Sequence, residues 1–234
     1  AFYGCSSLKN INLPSKLQWL GQWAFNGCAG IERLEMPDTL NDMDQYAFAD
    51  CTNLQTLKLS KGLTRIAPYA FYNDKLLNQV EIPSGVESIE RRAFANCKSL
   101  TEVSIPESVT YIDPTAFDNY DRLKIYGTSG SYAEEFAKAN KADFIATDSS
   151  NIQISLDKTE LTLIKGAQDI IKMEATPLGV SDKAVWSSSD TNVAMVSQSG
   201  IVKAVDFGTA TITVTIGTAK AECVVTVVQP VTSI

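Results

Sequence analysis

The pair Ala-Phe returns every 23 residues, at Ala1-Phe2, Ala24-Phe25, Ala47-Phe48, Ala70-Phe71, Ala93-Phe94 and Ala116-Phe117. A fixed period of this length marks a solenoid, because a unit this small cannot bury its apolar face except against its neighbours. Counted from each Ala as position zero, apolar residues recur at fixed offsets. Offset seven holds Leu8, Ile31, Leu54, Leu77, Leu100 and Leu123, and offset ten holds Ile11, Leu34, Leu57, Val80 and Val103. Offset twelve holds Leu13, Met36, Leu59, Ile82 and Ile105, and offset nineteen holds Leu20, Met43, Ile66, Ile89 and Ile112.

Offsets ten and twelve alternate with polar residues, the pattern of a half-buried strand. Proline then ends that strand at Pro14, Pro37, Pro83 and Pro106, with Ser60 as the exception. Offsets sixteen to nineteen predict a second short extended segment. The Ala-Phe lies in the return, its ring expected at the centre of the coil. Stacked units then form a parallel ladder of about 4.8 Å per rung. The outward face of that ladder (Asn10, Arg33, Thr56, Gln79 and Glu102, then Asn12, Glu35, Lys58, Glu81 and Ser104) is mixed in charge, without aromatic residues, and reads as a solvated sheet face.

Cys5, Cys28, Cys51 and Cys97 share offset four, with Asp74 in the same slot. Equivalent atoms on adjacent rungs lie about 5 Å apart with parallel Cβ vectors, which suits neither a disulfide nor a tetrahedral metal ion. Buried free thiols are expected. Asp74 implies that this column runs near an edge, where a carboxylate reaches water or a backbone N–H.

The period fails after Leu123. Ser131 with Glu134 spells a capping box, and Tyr132, Ala133, Phe136 and Ala137 form the apolar face of a helix. Phe144-Ile145 reads as one more strand. This segment is expected to cover the open end of the solenoid. A polar linker, Thr147 to Asn151, leads into short strands at 152–156, 160–164, 170–175, 184–188, 193–197, 201–205, 209–216 and 220–228. Seven or eight strands in about eighty residues predict a β-sandwich.

The repeat, most complete over residues 82–106, resembles the BspA-type leucine-rich repeat. Val185-Trp186-Ser187-Ser188-Ser189-Asp190, with Gly200-Ile201-Val202-Lys203-Ala204, Gly208-Thr209-Ala210-Thr211-Ile212 and Cys223-Val224-Val225, resembles the group 2 bacterial Ig-like domain. The first resemblance implies a secreted or cell-surface bacterial protein used in adhesion or ligand binding, and the second a spacer or adhesion module. Trp186 is then the core tryptophan, and Cys223 has no second cysteine in its domain.

The chain has no histidine and a net charge of −7, split as −5 over residues 1–149 and −2 beyond. Histidine-dependent triads and zinc sites are thereby excluded, and no basic stripe offers a nucleic-acid footprint. No phosphate-binding loop or nucleophile elbow is present, and the acidic pairs carry no sign of shelter. The run Ser187 to Asn192 lacks the ordered acid spacing of a calcium loop and reads as a turn. One surface feature stands out. Offset twenty-two carries Trp23, Tyr46 and Tyr69 on successive rungs, followed by Arg92 and Thr115, with Trp19 and Tyr111 at offset eighteen. Exposed, these rings with a flanking guanidinium would suit sugar or peptide binding; packed on one another, they would cover the coil.

The expected architecture is mainly β. A right-handed leucine-rich-repeat solenoid of 23-residue units with a C-terminal helical cap spans residues 1–147. An Ig-like β-sandwich and the start of a further linker span 148–234. The expected function is non-enzymatic binding of an extracellular protein or glycan through Trp19, Trp23, Tyr46, Tyr69, Arg92 and Tyr111, by a monomer at a bacterial cell surface. No cofactor, metal, nucleic acid or membrane insertion is expected. A structural stalk and an accessory region of an extracellular carbohydrate-active enzyme are the alternatives. Residue 1 falls inside a unit and Val231 to Ile234 reads like the opening of another sandwich, so the chain is expected to be part of a longer one.

Overall fold

The computed structural model describes residues 2–148 and 152–229. The chain divides into two compact units between Ala146 and Thr147. The expected opening of a further unit at Val231 lies outside the described residues.

The first unit is the solenoid, and the phenylalanines run through its centre. Phe2, Phe25, Phe48, Phe71, Phe94 and Phe117 form one continuous stack, with centroids 5.1 to 6.0 Å apart and planes within 9° of parallel. From Phe25 onward every ring is buried. Each return donates alternate amides to the following coil, one of them that of the phenylalanine itself. Phe25 N–H donates to the Ala47 carbonyl at 2.7 Å, Phe48 to Ala70 at 3.0 Å, Phe71 to Ala93 at 2.9 Å and Phe94 to Ala116 at 2.8 Å. The intervening amides turn back within their own coil, as in Ala24 to the Gly21 carbonyl and Asn26 to that of Trp23. Every second N–H of the return thus points along the solenoid axis.

Parallel strands flank the stack. One ladder pairs Arg33–Glu35 with Thr56–Lys58, then resumes from Gln79–Glu81 through Glu102–Ser104 and Lys124–Gly127 to Asp143–Ala146. The second pairs Trp19–Leu20 with Asp42–Met43, then Arg65–Ile66 with Ser88–Ile89 and Tyr111–Ile112. Neither ladder is the unbroken one expected; the two interruptions flank the coil of residues 47–69. The proline slot works as the first residue of a tight turn, its carbonyl taking the amide of Leu17, Leu40, Val86 or Val109 three residues on. Ser60 keeps that turn, and its buried hydroxyl donates to the Leu40 carbonyl at 2.6 Å. The outward face of the first ladder is exposed and carries the pair Lys58 with Glu35, but Ser104 is buried rather than solvated.

The cap is a helix, Tyr132–Asn140, that buries Ala133, Phe136 and Ala137. Phe136 meets the last ring of the stack edge-on, 6.3 Å from Phe117. Gly127 permits this approach, because a Cβ there would sit 3.2 Å from Ala133 Cβ and from the Phe144 ring. The expected capping box forms only in part. Ser131 Oγ makes no cap bond, and Glu134 accepts from the Gly130 N–H at 2.7 Å, one residue earlier than the motif requires. Phe144 and Ile145 lie in the final strand as expected.

The second unit is the sandwich. Glu160–Ile164, Ala219–Val228, Gly208–Ile216 and Val185–Ser188 form one sheet, and Gln168–Ile170, Ile201–Ala204 and Ala194–Val196 a second. The expected strand 170–175 is two. Buried Ile171 separates Gln168–Ile170 from Met173–Thr176, which pairs instead with Gln153–Leu156. Trp186 lies in the core with Val202, Ile212, Val214 and Cys223, and Met173 packs against that cluster.

All five cysteines are free thiols, and Cys5 in the first coil is exposed rather than buried as expected, but the column beyond it is not at an edge. Cys28, Cys51 and Cys97 are buried, and their thiols donate to the carbonyls of Phe2, Phe25 and Phe71 in the coil before. Asp74, in the same slot, is also fully buried. Its Oδ1 accepts the Cys51 amide at 2.9 Å, and its Oδ2 has no partner among the described residues. By the repeat, the carbonyl that Oδ2 replaces a thiol toward is that of Phe48. Burial pushes this carboxyl well above the ordinary aspartate value of 3.8, opposed by the Cys51 N–H and reinforced by the charge of Asp50.

A folded-state pKa raised above the unfolded one leaves stability intact below pH 3.8 and erodes it as pH rises through the folded value. Asp74→Asn supplies an N–H for that carbonyl without the charge. The variant should melt higher than the parent at pH 7, with the difference closing as pH falls toward 4. Calorimetry across this range checks it, and a variant that melts lower at pH 7 contradicts it.

Candidate functional site

Two backbone corners per coil shape the solenoid surface. Gly4, Gly27, Asp50, Asn73, Asn96 and Asn119, all at offset three, have positive φ. Glycine, asparagine and aspartate are the residues that accept the left-handed conformation, so local preference and fold agree there. At offset twenty-two they do not. Trp23, Tyr46, Tyr69 and Arg92 hold φ of 57°, 60°, 57° and 52°. For bulky side chains this conformation costs on the order of 1 kcal/mol each.

The side chains at these strained corners form the expected column. Trp23 lies 6.1 Å from Tyr46 at a 44° tilt, and Tyr46 stacks on Tyr69 at 4.5 Å. Tyr69 also meets the edge of Tyr72 at 5.6 Å, and the Arg91 and Arg92 guanidinium carbons lie 5.9 and 6.0 Å from its centroid. Trp23 is 46% exposed, whereas Tyr46 and Tyr69 are half-buried. Burial, then the neighbouring Tyr69, raises the Tyr46 phenol. Tyr46 and Tyr69 lie within 16° of parallel, so each covers one face of the other.

Trp19 and Tyr111 do not join this column. They stand at the two ends of the second ladder, four rungs apart, with Asp42, Arg65 and Ser88 between them. Trp19 folds over Gly21, where a Cβ would be 2.9 Å from its ring. Tyr111 bonds Asp113 at 3.4 Å. Each is about half exposed. Between them Arg65 and Asp42 pair at 3.0 Å.

Beyond Arg92 the surface opens into a cleft of about 450 Å³ lined by Tyr72, Arg92, Asn96, Thr115, Asp118 and Tyr120, among others. The column was legible in the sequence and the cleft was not. Groups of acidic and cysteine residues able to hold a metal ion are absent among the described residues.

Central rings, two parallel ladders and a helical cap define a leucine-rich-repeat solenoid, joined in sequence to an Ig-like sandwich. The chain belongs to the BspA type leucine rich repeat family, whose model matches residues 1–124 in six copies. The bacterial Ig-like domain (group 2) model matches residues 152–227. Among solved structures, a leucine rich cell surface protein from Faecalibacterium prausnitzii A2-165 is 32% identical at a TM-score of 0.50, with 59% of this chain and 35% of that one covered. The pneumococcal vaccine antigen PcpA is 21% identical at a TM-score of 0.48, covering 58% of this chain and 40% of its own. An uncharacterized protein of Clostridium acetobutylicum is 44% identical over 85 residues. The chain spans 8% of that protein's length.

The strained corners give a direct test. Tyr46→Ala loses two ring contacts and keeps the strained φ, so it should destabilise by about 1–3 kcal/mol. Tyr46→Gly should cost less than Tyr46→Ala, the reverse of the usual order, because glycine relieves the left-handed strain. Exposed Trp23→Ala should cost less than about 1 kcal/mol. Urea unfolding of the three variants checks the order.

Proposed function

We propose that this chain is the non-catalytic binding portion of a bacterial cell-surface protein. The solenoid presents the ligand surface and the Ig-like sandwich serves as spacer. The observation that carries this reading is the run of four bulky side chains kept at positive φ in register on the surface. Strain of this kind persists where it serves the use of a surface. The cell-surface description of the Faecalibacterium relative supports the location. The mixed charge of the exposed ladder leaves the aromatic and arginine strip as the chemically distinctive part of the outer face.

The ligand is an extracellular protein or glycan, and Trp23, Tyr46, Tyr69 and Arg92 are the contact residues. Trp19 and Tyr111 act as separate exposed rings on the second ladder. The stalk reading draws on one observation, the mutual stacking of Tyr46 and Tyr69, which hides their faces. The discriminating experiment is an array of host glycans and matrix proteins probed with the whole chain and with a Trp23→Ala/Tyr69→Ala/Arg92→Ala variant that retains its melting transition. Binding by the parent that drops at least about tenfold in the variant, about 1.4 kcal/mol, is the expected result. An array on which both behave alike supports the stalk.

A further inference from the structure

We infer that the cleft beyond Arg92 is a binding site for a neutral pyranose unit, which takes the place of a missing rung in the aromatic column. The inference rests on the binding role proposed above and assigns that role a place and a ligand class.

The cleft lies where the repeat changes, for Thr115 takes the corner position without the positive φ of its predecessors. Successive coils put Trp23, Tyr46, Tyr69 and Arg92 at the same corner, and the next coil puts Thr115 there. Thr115 is too small to extend the stack, and its hydroxyl is turned to Asp113 Oδ1 at 2.6 Å. The guanidinium of Arg92 closes the column on Tyr69, and beyond it the fifth ring position is empty. The opposite wall is Tyr120, which is held in place because its hydroxyl donates to the Pro114 carbonyl at 3.0 Å and its ring meets Phe136 edge-on at 6.0 Å. The volume, about 450 Å³, falls within the roughly 300–1,000 Å³ of small-ligand pockets.

The polar groups decide the ligand class. Arg92 is exposed, and its guanidinium makes no hydrogen bond or ion pair among the described residues. Asn96 donates its side-chain amide to the Tyr72 hydroxyl at 2.8 Å, which orients its carbonyl oxygen as an acceptor. Asp118 is fixed by the Asn96 backbone N–H. One cationic donor and two oxygen acceptors therefore line a ring-sized space beside an aromatic wall. A pyranose matches both parts, with a flat C–H face for Tyr120 and hydroxyls that donate and accept at once. A peptide aromatic ring would fill the space but leave the acceptors unmatched. Arg92 and Asp118 oppose each other in charge, which favours an uncharged sugar over an acidic one.

The test uses the whole chain and the methyl glycosides of glucose, galactose, mannose and N-acetylglucosamine at millimolar concentration, followed by amide chemical shifts. At least one glycoside should shift the amides of residues 92, 96, 115 and 118 saturably. Thr115→Tyr, which fills the gap with the protein's own ring, should abolish these shifts while the melting temperature holds or rises. Arg92→Ala should weaken binding at least about tenfold. The inference is overturned if none of the glycosides shifts these amides, or if Thr115→Tyr binds like the parent. Array binding that responds to Trp23→Ala but not to Thr115→Tyr would overturn the cleft and leave the broader binding role standing. Methyl glucuronide, run alongside, should bind more weakly than the neutral glycosides; a preference for it would overturn the charge argument.

Discussion

Face-to-face packing of one phenylalanine per coil is the interaction on which the rest of this solenoid depends. The rings lie 5.1 to 6.0 Å apart, close to the spacing of parallel strands, about 4.8 Å. The same step therefore serves ring contact, the axial amide bond beside each ring and the two strand ladders. A coil one residue longer or shorter would break all three together. This explains why a 23-residue spacing is kept from Phe2 to Phe117 while the outward positions vary freely. The stack also dictates how the solenoid must end. Its last ring needs a partner that does not continue the series, and Phe136 supplies one by meeting Phe117 edge-on.

The return that carries the stack brings strained corners with it. Alternate amides point along the axis, and from Gly4 to Arg92 each coil has two residues at positive φ, whereas Thr115 does not continue the series. At offset three the residue choice relieves the strain. At offset twenty-two bulky side chains retain it, offset in part by stacking and by the arginines near Tyr69. A rigid core thus holds a row of large side chains at fixed intervals on the outside. Where the pattern changes at Thr115, a cleft opens between Arg92 and Tyr120. Binding surfaces on repeat proteins arise readily in this way, because a local change of side chain is framed by coils that do not move.

Periodicity made most of the fold legible in the sequence. Apolar offsets located both ladders, and the failure of the period after Leu123 located the cap. Alternation in Thr209 to Ile216 and the position of Trp186 located the sandwich. What local pattern did not convey was depth. Asp74 in a thiol column suggested a solvent edge, yet the column runs inside the coil, because its side chains aim at carbonyls of the preceding return. Ser131 and Glu134 matched a capping motif of which only the glutamate bond formed, one residue out of place, since the Ser131 N–H is already taken by the Thr128 carbonyl. The column of Trp23, Tyr46 and Tyr69 could be listed by offset. The cleft could not, because it is defined by what Thr115 lacks and by Tyr120, beyond the last complete unit.

The central claim is that ring phase fixes the coil length. It is tested most directly by deleting one unit in phase and one out of phase. Removing residues 47–69 joins Tyr46 to Ala70 and leaves the phenylalanine series intact; removing 47–68 shifts every later ring by one residue. Thermal unfolding of the two variants, followed by calorimetry and far-ultraviolet dichroism, should show a cooperative solenoid transition for the first, reduced in enthalpy by the lost coil. The second should lose that transition or aggregate. Equal cooperativity in both would mean that the coils tolerate slippage, and that the phenylalanine stack follows the fold without setting it.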